Sequence, residues 1–395
     1  MFHKKAHTLC SYRKRAALGL LFFLLCAGCR DEKQGYERLV FNGHTMGTTY
    51  RIVATVDNDS TTSVSLKELV DKRLDELCQR LSTYIENSEI TRFNQSEAGE
   101  WFGVSSDLYR VVAAADLISR KTGGAFDITV GQIVDLWGFG VSSDLYRVVV
   151  AADSISRKTG GAFDITVGQT VNLWGFGAEG EALSNELPAQ DKILSAQQTA
   201  DYRKLQMRSD PPALKKIHSE LKLDVSAIAK GYGVDEILLL LKNVHEVHGA
   251  MVEIGGEIRV FGHRHDGLKW TVGIQSPVRD RGGLAAKVSL DNEAVASSGS
   301  YVNYFEKDGK RISHVINPLK GAPVETDTVA TTVIDKSCMT ADAWATACMV
   351  LDVAKALDIA RSENIGLMII REESEDALEV ISNNSFKKYL VNENR

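Results

Sequence analysis

From about Leu39 the chain alternates apolar and polar residues through LVFNGHTMGTTYRIVATV, the period of a strand or hairpin. SLKELVDKRLDELCQRLS then changes to a helical period, with Leu66, Leu69, Val70, Leu74, Leu77 and Leu81 on one stripe. Such a stripe predicts a core-facing helix. After a polar stretch at about 178–212 that reads as helical or irregular, LKLDVSAIAKGYGVDEILLLL passes from a short strand into a helix. Strand patterns follow in AMVEIGGEIRVFGH, KWTVGIQSPV, AAKVSLDNEAVASSG, KRISHVINP and TVATTVID, and TADAWATACMVLD reads as a late helix. Strands and helices mix without regular βαβ alternation, which predicts an α+β fold: a single domain with mixed sheets and flanking helices.

One stretch breaks the aperiodic pattern. Residues 103–139 recur at once as 140–176, differing only at Ala113/Val150, Leu117/Ser154, Ile133/Thr170 and Asp135/Asn172. Each copy reads as helix, Gly-Gly turn, then strand. A solenoid needs three or more repeats with diverged caps, so two near-identical copies point to a tandem duplication inside an ordinary domain. Loop-closure entropy tolerates the insertion at roughly 0.6 kcal/mol per doubling of loop length. Burial is the harder demand, because the surplus copy brings an apolar helix face, a Phe and a Trp that need a surface.

The 395 residues are 44% hydrophobic and 25% charged, ordinary for a globular protein, and a net charge of -6 excludes a general affinity for nucleic acid or anionic lipid. An anionic ligand must be held by a local site. The N-terminus differs from the rest: Lys4, Lys5, Arg13, Lys14 and Arg15 precede the apolar run AALGLLFFLL, which ends at Cys26-Ala27-Gly28-Cys29. This is a signal-peptide pattern, shorter than the roughly 20 apolar residues of a membrane span. Small residues directly before a cysteine resemble the lipobox of bacterial lipoproteins, with Cys26 where Leu is usual, and make Cys29 the lipidated first mature residue. The alternative is an uncleaved signal anchor. Residues 1–28 are then the signal peptide, 29–37 a linker and 38–395 the folded domain. Of six cysteines, Cys78, Cys338 and Cys348 remain for the fold. Their spacing fits neither a disulfide framework nor zinc, so buried or half-buried thiols are expected, with a Cys338–Cys348 bridge as the alternative.

Asp342 and Thr346 stand four apart on the late helix, so their oxygens leave one face about a turn apart. That suits a hard cation, Mg²⁺ above zinc or copper; equally it suits a solvated face with Thr346 bonded back to its own helix. DVSAIAKGYG sets Asp224, Ser226 and Lys230 at a strand-to-helix junction. Exposed N–H groups and Lys230 there would hold phosphate, or the segment is a capped helix start with a surface lysine. GGAFD fits a helix C-cap followed by a strand, and EIGGEI a hairpin with a Gly-Gly turn. His314, on a short strand ahead of a Pro turn, is either a hydrogen-bonded structural residue or a base, proton shuttle or ring contact.

The order and wording of these pieces resemble the ApbE family, the FAD:protein FMN transferases once called thiamine-biosynthesis lipoproteins. HTMGTTY (44–50), LSTYIENSEITRFN (81–94), GGAFDITVG with LWGFG in both copies, DVSAIAKGYGVD (224–235), EIGGEI (253–258), SGSY (298–301), SHVINP (313–318) and ADAWAT (341–346) carry the resemblance. It implies FAD as substrate in a cleft of one α+β domain, with Mg²⁺ at the pyrophosphate held by the Ala227 carbonyl, Asp342 and Thr346. It further implies flavin-nucleotide contacts from Met46, Tyr84, one Ala-Phe-Asp triplet, Asp224, Lys230 and the backbone near Ile316. Between the triplets, Ala162-Phe163-Asp164 is preferred over Ala125-Phe126-Asp127, because only the second copy leads into the family's Asn172-Leu173-Trp174. His314 matches the family's histidine beside the flavin, so the catalytic set is His314, Lys230 and Asp342. The family's Asp-Pro-x-Thr-Gly is here Asn317-Pro318-Leu319-Lys320-Gly321. The resemblance implies a protein anchored by lipid at Cys29 to the periplasmic side of the inner membrane. Its expected partner is an acceptor subunit of a membrane redox complex, modified at a Thr or Ser.

Overall fold

A computed structural model describes residues 35–58, 62–121, 167–176, 187–209, 211–277, 283–300, 304–307, 310–374 and 377–391. Its spine is one sheet whose strands are β1 (Tyr36–Thr45), β2 (Thr48–Asp57), β3 (Val247–Ile254), β4 (Glu257–Gly262), β5 (Ala294–Gly299), β6 (Thr328–Asp335), β7 (Gly366–Ser374) and β8 (Ala377–Ser382). They lie side by side in chain order, each antiparallel to its neighbours. Every other element is an insertion into this meander, save a short helix, Asn384–Lys387, that follows β8. Between β2 and β3 come α1 (Thr62–Leu81), α2 (Glu89–Gln95), α3 (Ser106–Lys121), α4 (Gly168–Leu173), α5 (Gln190–Thr199) and α6 (Ser226–Lys242). A hairpin of Trp270–Gln275 and Leu284–Leu290 separates β4 from β5, and α7 (Cys338–Val350) and α8 (Val353–Ser362) separate β6 from β7.

The two-residue period sorts side chains between two cores. Ile52, Ala54, Ala296, Val333, Leu367 and Ile369 face the helices, while Val53, Val295, Ile334, Met368 and Ile370 face the hairpin's Trp270, Val272 and Val288. In β6 seven of eight positions are buried, as a strand covered on both faces requires. α6 and α7 cross closely because Gly231 lacks a side chain: a Cβ there would stand 2.4 Å from the Cys338 carbonyl oxygen. Glycine costs about 1 kcal/mol in a helix interior, and here the close crossing requires it.

The two repeat copies seat different parts of themselves. The first supplies α3, whose Leu108, Val111, Val112, Ala113 and Ala114 enter the helix-side core. Buried Asp107 pins it, accepting from both Arg73 terminal nitrogens at 2.9 and 2.8 Å, from the Tyr232 hydroxyl at 2.8 Å, and from Arg80. The second copy supplies α4 and Trp174, whose indole N–H donates to the Gly321 carbonyl at 3.0 Å. The Gly-Gly turns and Ala-Phe-Asp triplets of both copies lie outside the described residues.

Several expectations change. Leu69 is 42% exposed, so the helical stripe is narrower than its leucines suggested. Gly168–Leu173 is helical rather than a strand; local hydrogen bonds such as Val171 N to Val167 O override its β-branched residues. In place of a strand before α6 there is a single bridge, Lys222 to Val167, and a strand at Leu205–Ser209 occupies the stretch read as helical or irregular. The first strand begins at Tyr36, two residues inside the expected linker. Cys78, Cys338 and Cys348 are free thiols, and the last two sit ten residues apart on one helix, about 15 Å along its axis. The α+β class itself holds.

Candidate functional site

At one end of the sheet two tight turns lie next to the start of α6. Met46 and Gly47 join β1 to β2 with φ of +49° and +74°, and Gly255 and Gly256 join β3 to β4 with φ of +63° and +103°. The Gly-Gly hairpin read from EIGGEI is thus present, in the left-handed conformation that two-residue hairpin turns require. Met46 is not a glycine, and its left-handed backbone costs about 1–2 kcal/mol. Its side chain fits the notch left by Gly233 on α6, where a Cβ would meet the Met46 methyl at 3.0 Å. The Lys230 stem likewise crosses Gly255, whose Cβ would lie 3.3 Å from the Lys230 Cδ.

Lys230 ends between two buried carboxylates. Its Nζ is 3.3 Å from Glu257 Oε1 and 3.7 Å from Asp342 Oδ1, and those side chains are 3% and 2% exposed. Asp342 Oδ2 accepts the Gly231 N–H at 3.0 Å, so the carboxylate is tied to the helix that carries Lys230. Burial pushes both carboxyl pKa values up, against the pull of the ammonium. Burial would lower Lys230, but Asp342 and then Glu257 hold it above its ordinary value and keep it charged. One turn on from Asp342, the Thr346 hydroxyl is 3.0 Å from the Ser298 hydroxyl of β5. Thr346 therefore faces the sheet through a neighbouring hydroxyl.

What aims α7 is a residue given no role in the sequence reading. Asp235 of α6 accepts from the Cys338 and Met339 N–H groups at 2.9 and 3.1 Å, from the Ser337 hydroxyl at 2.7 Å and from Arg259 at 2.8 Å. A carboxylate from one helix thereby caps the next, satisfying amide groups that its first turn leaves free. Asp235 closes the DVSAIAKGYGVD wording, which was its only sequence signal. Glu257 was equally hidden inside EIGGEI.

A second cluster gathers beyond the start of α6. Asp224 accepts from the Ser226 N–H at 2.8 Å and its hydroxyl at 2.6 Å, closing the turn that leads into the helix whose first turn holds Ala227. Exposed Tyr84 donates to the Phe176 carbonyl at 3.2 Å, and partial burial, then the Asp224 carboxylate, raises its phenol pKa. The Phe176 ring meets His314 edge-on at 6.4 Å. His314 lies in the bend between Lys310–Ser313 and Ile316–Asn317 rather than on a strand, because pairing with the preceding hairpin partner ends at Ser313. Ile316 is buried, and the turn after it is closed by Asn317 Oδ1 accepting from Leu319 and Lys320 at 3.0 and 3.3 Å. Asparagine thus caps this turn in place of the family's aspartate. Ala162, Phe163, Asp164 and Cys29 lie outside the described residues.

The donor set proposed for Mg²⁺ is one carboxylate with a hydroxyl and a carbonyl. Among the described residues no cluster of three or more His, Cys, Asp or Glu offers a rival metal centre. Oxygen-only donors suit Mg²⁺. The surplus of two buried carboxylates over one lysine, with Glu257 Oε2 buried and unbonded, also suits an added cation. The residues fit the ion.

Fold and site together define an α+β protein with a lysine set between two buried carboxylates at the crossing of α6 and α7. A family model described as the ApbE family matches residues 46–143 and 139–369, two stretches that meet where the repeat copies join. The FAD:protein FMN transferase of Vibrio cholerae serotype O1 is 35% identical over 373 residues, covering 94% of this chain and 98% of its own length. That of Escherichia coli K12 is 32% identical over 391 residues, covering 97% and 99%. Among solved structures, the flavin transferase ApbE from Vibrio cholerae aligns with a TM-score of 0.73 at 32% identity, covering 90% of this chain and all of that one. The apo flavinyl transferase ApbE of Pseudomonas stutzeri gives 0.73 at 31%, covering 90% and 97%. This chain belongs to the ApbE family.

Proposed function

We infer that this chain is an FAD:protein FMN transferase, which moves FMN from FAD to a Thr or Ser hydroxyl of a target protein and releases AMP. The observation that carries the chemistry is the charged Lys230 beside Asp342, with Thr346 one turn further along α7. Lys230 lies against the pyrophosphate as a fixed positive charge in a low-dielectric pocket, where it counts for more than in water. Asp342, Thr346 and the Ala227 carbonyl would hold Mg²⁺, which when bound supplies charge neutralisation at the phosphoryl oxygens. Met46 and Tyr84 flank the nucleotide, and Asp224 fixes the start of α6 where the pyrophosphate meets backbone N–H groups. Ala162-Phe163-Asp164 and the Ile316 backbone bound the flavin. The acceptor oxygen bonds to the phosphorus on the FMN side as the bond to AMP's phosphate oxygen breaks, leaving a phosphodiester. His314, beside the flavin cluster, takes the hydroxyl proton.

The N-terminal pattern supports a lipid anchor at Cys29 on the periplasmic side of the inner membrane, where a membrane redox complex would present the acceptor subunit. The test incubates the protein with FAD, Mg²⁺ and such a subunit, then looks for flavin fluorescence on the denatured acceptor, with EDTA as control. Free FMN and AMP without labelled acceptor would make the protein an FAD pyrophosphatase. Stoichiometric FAD that stays intact would make it a flavin-binding lipoprotein.

A further inference from the structure

Beside Lys230 stands a carboxylate that the transfer chemistry does not use. Glu257 follows the Gly255–Gly256 turn directly, in register with Ile254 across the hairpin, so its backbone is fixed by that turn. Its Oε1 stands 3.3 Å from Lys230 Nζ, nearer than Asp342 Oδ1 at 3.7 Å. Its Oε2 is buried without a hydrogen-bond partner, at a cost that protein sites rarely bear unless a ligand supplies a donor. Arg259, two residues along the same strand, is held by Asp235 at 2.8 Å.

Asp342 has two oxygens, and Gly231 already occupies Oδ2. Oδ1 is the oxygen left for a cation, and it is the one Lys230 faces. A full ion pair at about 2.8 Å would use up that oxygen. The second carboxylate, the nearer of the two, competes for the ammonium. We propose that Glu257 is a positioning residue that holds Lys230 off Asp342, keeping Oδ1 free for a divalent cation and Nζ aimed at the anionic ligand. The unbonded Oε2 then accepts from water on that cation. This inference rests on the cation reading of Asp342 given above.

The test measures Mn²⁺ affinity by calorimetry on the full-length, FAD-free protein, for the wild type, Glu257→Gln, Lys230→Met and the double variant. Glu257→Gln weakens Mn²⁺ binding about tenfold, in the range for residues that orient metal ligands. Adding Lys230→Met restores about tenfold in the Glu257→Gln background but changes the wild type less than about threefold, since only without Glu257 does Lys230 compete for Asp342. Equal factors in both backgrounds mean two independent charges and overturn the proposal. Glu257→Asp keeps the charge but withdraws the carboxylate, so weaker Mn²⁺ binding supports positioning and wild-type affinity overturns it. It also serves if Glu257→Gln fails to fold. Absence of Mn²⁺ binding by the wild type overturns the cation reading itself, a failure distinct from a wild type that binds while the cycle shows no coupling.

Discussion

Two lysines, fourteen residues apart in the chain, one half-buried and one fully buried, have opposite surroundings. Lys230, at the α6–α7 crossing, stands between Glu257 and Asp342 and is held protonated. Lys216 ends the strand Pro212–Lys216, in the small sheet from which the first repeat copy departs. Its Nζ donates to the carbonyls of Asn94, Ser219 and Leu221 at 2.6, 3.0 and 3.4 Å. Burial, then repulsion from Lys222, lowers its pKa to about 8. Burial alone therefore does not identify a functional lysine; the partners do. Carboxylates keep a charge available for an anion, whereas carbonyls use the ammonium as a bracket between loops. A similar division separates two regions of the candidate site: the α6–α7 region is made of single-copy residues joined by charged bonds, whereas the cluster of Tyr84 and His314 meets duplicated sequence at Phe176.

The largest effect should come from the charged half. Asp342→Ala should lower transfer by about 10²–10³-fold or more, since it removes a group aimed at transition-state charge. Full activity of that variant in Mg²⁺ would sink the assignment of Asp342. Lys230→Met should raise the FAD requirement as well as slow the step, and His314→Ala should reduce transfer less than either. Next in size is Asp235→Ala. It removes the carboxylate bonded to the Cys338 and Met339 N–H groups, leaving only the Ser337 cap on α7, and deprives Arg259 of its partner, so chemical denaturation should show a loss of about 3 kcal/mol. A loss below about 0.5 kcal/mol would show that packing alone aims α7.

How much of this was readable in the chain depends on how far apart the partners lie. The late helix was legible because Asp342 and Thr346 share a local period, and the hairpin at 254–257 because Gly-Gly suits its turn. Neither the pairing of Lys230 with Asp342 nor that of Asp235 with the first turn of α7 could be read from local pattern, because more than a hundred residues separate each pair. Leu69 misled because a leucine at the edge of a stripe is not covered in every fold. In Gly168–Leu173 the short apolar run carried no length to separate helix from strand. The motif wording reached Glu257 and Asp235 only as letters, without their roles.

The repeat half allows a sharper comparison, because each seat has a second candidate. Trp174 fills the seat at the Gly321 carbonyl. Trp174→Phe should cost about 1–2 kcal/mol for the lost buried hydrogen bond, while Trp137→Phe should stay within about 0.5 kcal/mol. If Trp137→Phe is the costlier change, the first copy fills the seat. Thr170 shows why the contest is close: its hydroxyl is buried without a partner, and the first copy has Ile133 there. Thr170→Val should therefore be neutral or slightly stabilising, since it removes an unbonded hydroxyl at nearly constant volume.

The smallest effect returns to Lys216 and concerns pH. Its folded-state pKa of about 8 lies below the ordinary value of 10.5, so between these limits the unfolded chain binds more protons than the folded one. Stability contributed by this residue therefore rises with pH across that window, and below pH 8 the buried charge is a constant penalty. Lys216→Met removes both the penalty and the bonds to three carbonyls, so its net effect at pH 7 can take either sign. The pH dependence of the difference has only one. From pH 7.5 to 10 the wild type should gain on Lys216→Met by about 2 kcal/mol in urea denaturation, with most of the change above pH 8. Lys230, held charged by its carboxylates, should show no matching gain over Lys230→Met in the same range. A flat difference for Lys216, or an equal slope for both lysines, would mean that carbonyls and carboxylates serve an ammonium alike, and the contrast between the two regions would collapse.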